Sequence, residues 1–144
     1  MTDCFICANH TDPAALVLDA GEHVVVTHLP LVTPIGAQKS VYLGYLFVEA
    51  RRHVPELGGP GPGRGCVGRP RGGALEPRAQ DVASAEHVYA AVIGHGIGHL
   101  HVHLIPRYPG TPREYWWTRV DEWPDAPRGD EAAIRALIHR LRAG

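Results

Sequence analysis

The sequence has no excess of charge of either sign. Fourteen basic and fifteen acidic residues leave a formal net charge of −1. Nucleic acids and anionic membranes attract proteins through clustered positive charge, which this composition does not supply. We therefore expect neither of them as a partner, and we expect any phosphate to be bound through local contacts.

Long hydrophobic runs are also absent from the sequence. The most apolar early segment, residues 24–35, is shorter than a membrane-spanning helix and contains Pro30 and Pro34. The amino terminus does not show the basic and then apolar pattern of a secretion signal. From these two features we expect a cytoplasmic protein.

Cysteine is scarce, with three residues in the whole chain. Small secreted domains depend on several disulfides, so this low number favours a reducing compartment. Two of the three cysteines, Cys4 and Cys7, form a Cys-x-x-Cys pair. In a reducing compartment such a pair indicates a metal site more than a disulfide.

The chain contains enough apolar sequence for one compact core. Of its 144 residues, 44% are hydrophobic and 20% are charged, which predicts a single domain over residues 1–144. β-Branched and aromatic segments predict strands at residues 22–27, 40–49, 88–93 and 99–105, with loops at 1–15 and 30–38. A closing helix is predicted from Asp130 as its N-cap and from an apolar stripe at helical spacing. That stripe consists of Ile134, Leu137, Ile138 and Leu141. Several strands and few helices indicate an α+β fold.

Residues 58–80 do not fit this plan. The segment is rich in glycine, proline and arginine, and its apolar residues follow neither the helical nor the strand period. Two interpretations stay open. One is a long surface loop, which is unusual within a small domain, and the other is a local slip of the reading frame in a GC-rich coding sequence.

Histidine is concentrated in one short stretch of the chain. Four of the ten histidines lie between residues 94 and 107, and three of them, His99, His101 and His103, alternate with apolar residues. Alternate side chains of a strand share a face, so these imidazoles are predicted to point to one side, about 6.6 Å apart. Three interpretations compete: polar surface residues, ligands of one catalytic metal ion, or a phosphate site in which one ring is the nucleophile.

The same residues resemble a known signature. The sequence His-Leu-His-Val-His-Leu-Ile at 99–105, followed by Pro106 and Arg107, resembles the motif of the histidine triad (HIT) family. Residues 46–53, which end in two arginines and a histidine, resemble the strand that the family places upstream. The resemblance covers roughly residues 4–108. It implies an antiparallel sheet with few helices, a carboxyl-terminal helix and a homodimer.

The resemblance also implies an enzyme. Members of the histidine triad family are nucleotide phosphohydrolases and nucleotidyltransferases, which cleave a P–N or P–O–P bond through a covalent phospho-histidine. On this sequence His101 would be the nucleophile, and His103 would assist the leaving group. The partner would be a small phosphorylated substrate, and a nucleotide is the family expectation.

Phosphate contacts are predicted from residues around the triad. The loop that contains Gly96 and Gly98 can hold phosphate oxygens with its backbone N–H groups. Tyr45 stands where many family members have a histidine, and His95 stands where they have a glutamine. Both side chains are predicted to contact phosphate. The acidic residue that commonly binds ribose has no equivalent in residues 24–30.

A metal site is implied by the members of the superfamily that are related to galactose-1-phosphate uridylyltransferase. Those members hold a structural zinc ion, Zn2+, with two amino-terminal cysteines, the histidine after the basic pair and the first histidine of the triad. The corresponding residues are Cys4, Cys7, His53 and His99. Such a donor set suits a closed tetrahedral site.

Two functions of other classes stay open at this point. In the first, the protein is a metal-dependent hydrolase and His101 and His103 bind a catalytic ion. In the second, it is a non-catalytic, zinc-stapled module that binds a nucleotide. Trapping a phospho-histidine would distinguish the triad enzyme from both.

Overall fold

A computed structural model describes residues 3–55, 84–94 and 96–143 of the chain. The predictions for the segment 58–80 and for His95 therefore lie outside the described residues. Within the described residues, no helix combines the length and the apolar character that crossing a membrane requires.

The described residues form two helices and a set of short strands. Their order is α1 (Phe5–Asn9), β1 (Val17–Ala20), β2 (Val24–His28), β3 (Val32–Thr33), β4 (Gly36–Ala37), β5 (Val41–Tyr42), β6 (Leu46–Ala50), β7 (His87–Ala91), β8 (His101–Arg107), β9 (Arg128–Gly129) and α2 (Glu131–Ala143). Two 3₁₀ turns lie at Arg113–Tyr115 and Trp117–Glu122. Five strands pair as one antiparallel sheet in the order β1-β2-β6-β8-β7. The predicted α+β fold with a carboxyl-terminal helix is confirmed.

Several predicted boundaries differ from those in the structure. The strand predicted at 40–49 is divided into β5 and β6, because Gly44 between them has a φ of +83° and turns the chain. The strand predicted at 99–105 begins two residues later, at His101. The loop predicted at 30–38 contains the β3–β4 hairpin, and the predicted amino-terminal loop contains α1.

The core lies between one face of the sheet and α2. This helix begins where the sequence predicts, since Oδ1 of Asp130 accepts the N–H of Ala133 at 2.9 Å. The apolar stripe of α2 is buried against alternate side chains of the central strands, which include Val26, Leu46, Val48 and Leu104. Because side chains alternate along a strand, the residues between them belong to the opposite face. That opposite face carries Thr27, Phe47, Glu49, His101 and His103.

A buried histidine fixes the turn between β5 and β6. His28 has no exposed surface, and its Nε2 accepts the N–H of Gly44 at 2.8 Å. Its Nδ1–H donates to the carbonyl oxygen of Leu29 at 2.9 Å. Burial lowers the pKa of His28 to about 4, so the ring is neutral near pH 7. The ring is therefore a structural part of this turn and has no nitrogen left for a ligand.

We expect the stability of the protein to fall as the pH is lowered from about 6.5 to about 4. Over this range the unfolded chain binds a proton at His28 and the folded chain does not, so protonation favours unfolding. One pKa unit corresponds to about 1.4 kcal/mol, which gives a loss on the order of 3 kcal/mol at the acid end. Urea unfolding across this pH range measures the loss.

The matched variant for this measurement is His28→Gln. Glutamine can still accept the N–H of Gly44 through its side-chain oxygen, but it does not titrate. The slope of stability against pH should be shallower in the variant. A remaining slope is expected, because burial also lowers the pKa values of His99 and His103. Equal slopes in the two proteins would show that His28 does not contribute.

Candidate functional site

His101 lies at the start of β8 with one ring nitrogen already bonded. Its Nδ1 is 2.6 Å from the carbonyl oxygen of His99. A carbonyl oxygen can only accept, so Nδ1 must carry the proton and the lone pair of the neutral ring must be on Nε2. The residue is 8% exposed, and Phe47 packs edge-to-face against its ring at 5.7 Å. The fold thus holds one tautomer of the neutral His101 ring, with the lone pair on Nε2.

His103 lies next to His101 on the same face, with ring centroids 4.9 Å apart. The hydroxyl oxygen of Tyr45 is 2.7 Å from its Nδ1. Its other nitrogen, Nε2, is buried and has no hydrogen-bond partner among the described residues. Burial, followed by the proximity of His101, lowers the pKa of His103 to about 4. At neutral pH this ring is uncharged.

His99 has different neighbours from those of His101 and His103. It precedes β8, it is 1% exposed, and its Nδ1 is 3.4 Å from Sγ of Cys4 and 3.4 Å from Sγ of Cys7. Its Nε2–H donates to the carbonyl oxygen of Ala50 at 2.5 Å. Pairing in β8 begins only after His99, and the ring of His99 lies against the two cysteines. The backbone carbonyl oxygen of His99, and not its ring, is the hydrogen-bond partner of His101.

Four side chains converge into a cluster that could hold a metal ion, the metal-binding cluster. Each of them offers one ligand atom, and these atoms all lie within 4.8 Å of one another. The members are Cys4, Cys7, His53 and His99. Burial and the neighbouring Cys4 thiol raise the pKa of the Cys7 thiol, so a thiolate here requires a nearby positive charge.

The spacing of the cluster fits a tetrahedral ion. The sulfur-to-nitrogen distances are 3.4 Å for both cysteines to His99 and 3.5 Å from Cys7 to His53. With metal–sulfur bonds of about 2.3 Å and metal–nitrogen bonds of about 2.0 Å, tetrahedral geometry separates the two donor atoms by roughly 3.5 Å. The Nε2–H bond of His99 to Ala50 also leaves Nδ1 free to coordinate. The residues present therefore suit zinc-type coordination.

The topology explains why these distant residues meet. β6 and β8 are antiparallel neighbours with Glu49 opposite His101, so the residues after β6 and before β8 lie at the same end of the sheet. His53 and His99 occupy those two positions. Cys4 is the N-cap of α1 and Cys7 follows three residues later within the helix, so the amino-terminal end of α1 brings both sulfur atoms to the cluster.

A buried polar cluster lies on the face of the sheet that carries His101 and His103. The Glu49 carboxylate accepts from Nε2–H of His10 at 2.8 Å and from the hydroxyl of Thr27 at 3.0 Å. The side chains of His10 and Glu49 are 6% and 5% exposed. The His10 ring packs edge-to-face against His99 at 5.7 Å. Glu49 therefore attaches the end of α1 to the sheet beside the metal-binding cluster.

The glycine-rich loop before His99 has open space beside it. Side-chain carbons built onto Gly96 or Gly98 would meet nothing within 4 Å, and both residues are exposed. The loop can therefore accept a ligand against its backbone N–H groups.

Comparison with protein-family models gave no match, and comparison with the sequences of curated proteins gave none. Solved structures do match. A Hit-like protein involved in cell-cycle regulation from Bartonella henselae superposes with a TM-score of 0.64 at 11% identity, over 96% of this chain and 92% of that chain. A zinc-bound histidine triad family protein from Mycobacterium smegmatis has a TM-score of 0.61 at 19% identity, over 98% and 91%. A hypothetical histidine triad nucleotide-binding protein from Sulfolobus tokodaii has a TM-score of 0.61 at 17% identity, over 90% and 82%.

The chain has the histidine triad fold. Within this fold, His101, His103 and Tyr45 lie close together. The hydroxyl of Tyr45, which was expected to contact phosphate, is hydrogen-bonded to His103.

Sequence reasoning missed the carboxylate of Glu49 and its partner His10. One signal was present, because Glu49 is the single charged residue in the apolar run 46–50. A charge buried in a strand requires a partner, but nothing local in the sequence identifies which residue supplies it.

Proposed function

We propose that this histidine triad fold is an enzyme, a nucleotide hydrolase or nucleotidyltransferase that cleaves a P–N or P–O–P bond through a phospho-histidine. The observation that carries the proposal is the bond from Nδ1–H of His101 to the His99 carbonyl. It fixes the Nε2 lone pair on the side of the ring where a substrate can approach. A neutral imidazole in a fixed tautomer is a nucleophile near pH 7 without a separate base.

The first step forms the covalent intermediate. Nε2 of His101 attacks the α-phosphorus, a P–N bond forms to the ring, and the bond from phosphorus to the leaving group breaks. The electron pair of the broken bond stays on the leaving atom, to which Nε2–H of His103 donates a hydrogen bond. A leaving nitrogen also takes up one proton from solvent and departs as the neutral amine. The buried, unpartnered state of that nitrogen supports this role, because a substrate acceptor would satisfy it.

The second step regenerates the ring. Water attacks phosphorus, the P–N bond to His101 breaks, and the electron pair returns to Nε2, while the proton of the water passes to solvent. The product is a nucleoside monophosphate, or a new phosphate ester or anhydride when another acceptor replaces water. Backbone N–H groups at Gly96 and Gly98 would hold the non-bridging oxygens during both steps.

The metal-binding cluster is proposed to hold a structural zinc ion, as in the galactose-1-phosphate uridylyltransferase side of the superfamily. The sulfur-to-nitrogen spacing supports zinc, and a zinc-bound protein shares the fold. When bound, the ion would supply no chemistry to the reaction. It would tie α1 to the segment that follows β6 and to the segment that precedes β8. The cluster includes His99, so the ion would also steady the carbonyl that orients His101.

The experiment that tests the proposal is capture of the intermediate. Wild-type protein is mixed with nucleoside phosphoramidates and dinucleoside polyphosphates, quenched in alkali, in which phospho-histidine survives, and analysed by intact and peptide mass. We expect a nucleotidyl adduct on the peptide that contains His101. Turnover without any adduct would favour the metal-dependent hydrolase, and tight nucleotide binding without turnover would favour the non-catalytic module.

A further inference from the structure

The hydroxyl of Tyr45 has one hydrogen-bond partner among the described residues, Nδ1 of His103. Burial raises the pKa of Tyr45 above its usual value, so the hydroxyl keeps its proton throughout the neutral range. Because the described residues offer the hydroxyl no other acceptor, that proton is donated to the lone pair of Nδ1. The proton of the neutral His103 ring must then be on Nε2.

The position of Tyr45 is fixed from several sides. The N–H of Gly44 is bonded to buried His28, and the carbonyl oxygen of Tyr45 accepts the N–H of Leu29 at 2.8 Å. Its ring packs against Phe47 at 5.4 Å. The hydroxyl is therefore held at Nδ1 by the backbone and by packing, before any substrate arrives.

We propose that Tyr45 is a positioning residue for the leaving group, because it holds His103 as a permanent Nε2–H donor. The inference rests on the proposed function and adds a requirement to it. Without the hydroxyl, the proton of His103 could move to Nδ1 and leave Nε2 as an acceptor, which would repel the electron pair of a departing atom. Tyr45 would thus assist bond cleavage by orienting His103. The sequence instead predicts a direct contact between Tyr45 and phosphate.

The Tyr45→Phe variant separates this role from a structural one. It removes one oxygen atom and keeps the ring that packs on Phe47. Two substrates with the same nucleoside are compared, the phosphoramidates of aniline and of p-nitroaniline. The p-nitroaniline anion is stabilised by its own nitro group, whereas aniline depends on a hydrogen-bond donor when it leaves. We expect kcat/KM to fall by about a hundredfold for aniline and by less than about tenfold for p-nitroaniline.

The matched control is Tyr108→Phe. The Tyr108 hydroxyl also donates a buried hydrogen bond in the neighbouring aromatic cluster, but to the carbonyl oxygen of Leu43 at 2.7 Å. This variant should change both substrates by the same factor. The double variant Tyr45→Phe, His103→Ala should be no more selective between the two substrates than His103→Ala alone.

Each outcome bears on the inference. An equal loss for both substrates would mean that Tyr45 supports only folding or binding, and no loss would mean that the hydroxyl is not needed; either result overturns the inference. Both leave the proposed function intact so long as the adduct on His101 forms. Failure of the wild-type protein to form that adduct would overturn the proposed function itself.

Discussion

We expect the His101→Ala variant to lose turnover of every nucleotide substrate that the wild-type protein cleaves. Alanine removes the Nε2 atom that would bond to phosphorus. His103 cannot take over, because its Nδ1 already accepts the Tyr45 hydroxyl and its Nε2 carries the proton. We expect kcat to fall by at least about a thousandfold, as when other covalent nucleophiles are deleted. Steady-state kinetics and the disappearance of the trapped adduct measure the effect.

The control for this variant is another histidine that lies away from the site. His139→Ala removes an exposed imidazole of α2 and should leave kcat unchanged. The His101→Ala protein should also keep its metal content, because His101 is not a member of the metal-binding cluster. Hydrolysis retained by this variant would contradict the covalent mechanism and favour a reaction at a metal ion.

The sequence predicts the part of the site that depends on the alternation of side chains along a strand. His101 and His103 share a face because alternate residues of any strand do. His99 follows the same period in the sequence, but pairing in β8 begins only at His101. The point at which a strand begins depends on its neighbours, and no local pattern marks it. The alternation of side chains along the strand was therefore predicted correctly, but the residue at which the strand begins was not.

The contacts that sequence reasoning could not supply connect residues far apart in the chain. Tyr45 reaches His103 across 58 positions, and His10 reaches Glu49 across 39. Both depend on where a turn or a short helix places its side chains, and the turn at Gly44 depends in part on buried His28. Motif resemblance named four residues up to 95 positions apart that the structure brings together, because it carries three-dimensional information that composition and periodicity do not.

Loss of the metal should damage both stability and catalysis. We expect purified protein to hold about one zinc ion per chain, and Cys7→Ser to reduce this below half. Without the ion, the Cys7 side chain no longer ties α1 to His53 and His99. The expected destabilisation is several kcal/mol, less than for a zinc finger, because the sheet and α2 have a core of their own. Elemental analysis and thermal unfolding measure the two effects.

Catalysis should fall in the same variant because His99 links the two sites. Its ring belongs to the cluster and its carbonyl oxygen holds Nδ1 of His101, so a loosened His99 leaves the nucleophile free to change tautomer. We expect kcat to fall by about ten- to a hundredfold, the range found when residues that support a ligand are removed. Cys66→Ser, which removes the remaining cysteine, is the matched control and should change neither the zinc content nor kcat. The hydrogen bond between His10 and Glu49 still attaches α1 to the sheet, so partial activity should survive. A wild-type protein with less than half an equivalent of zinc and full activity would contradict this account.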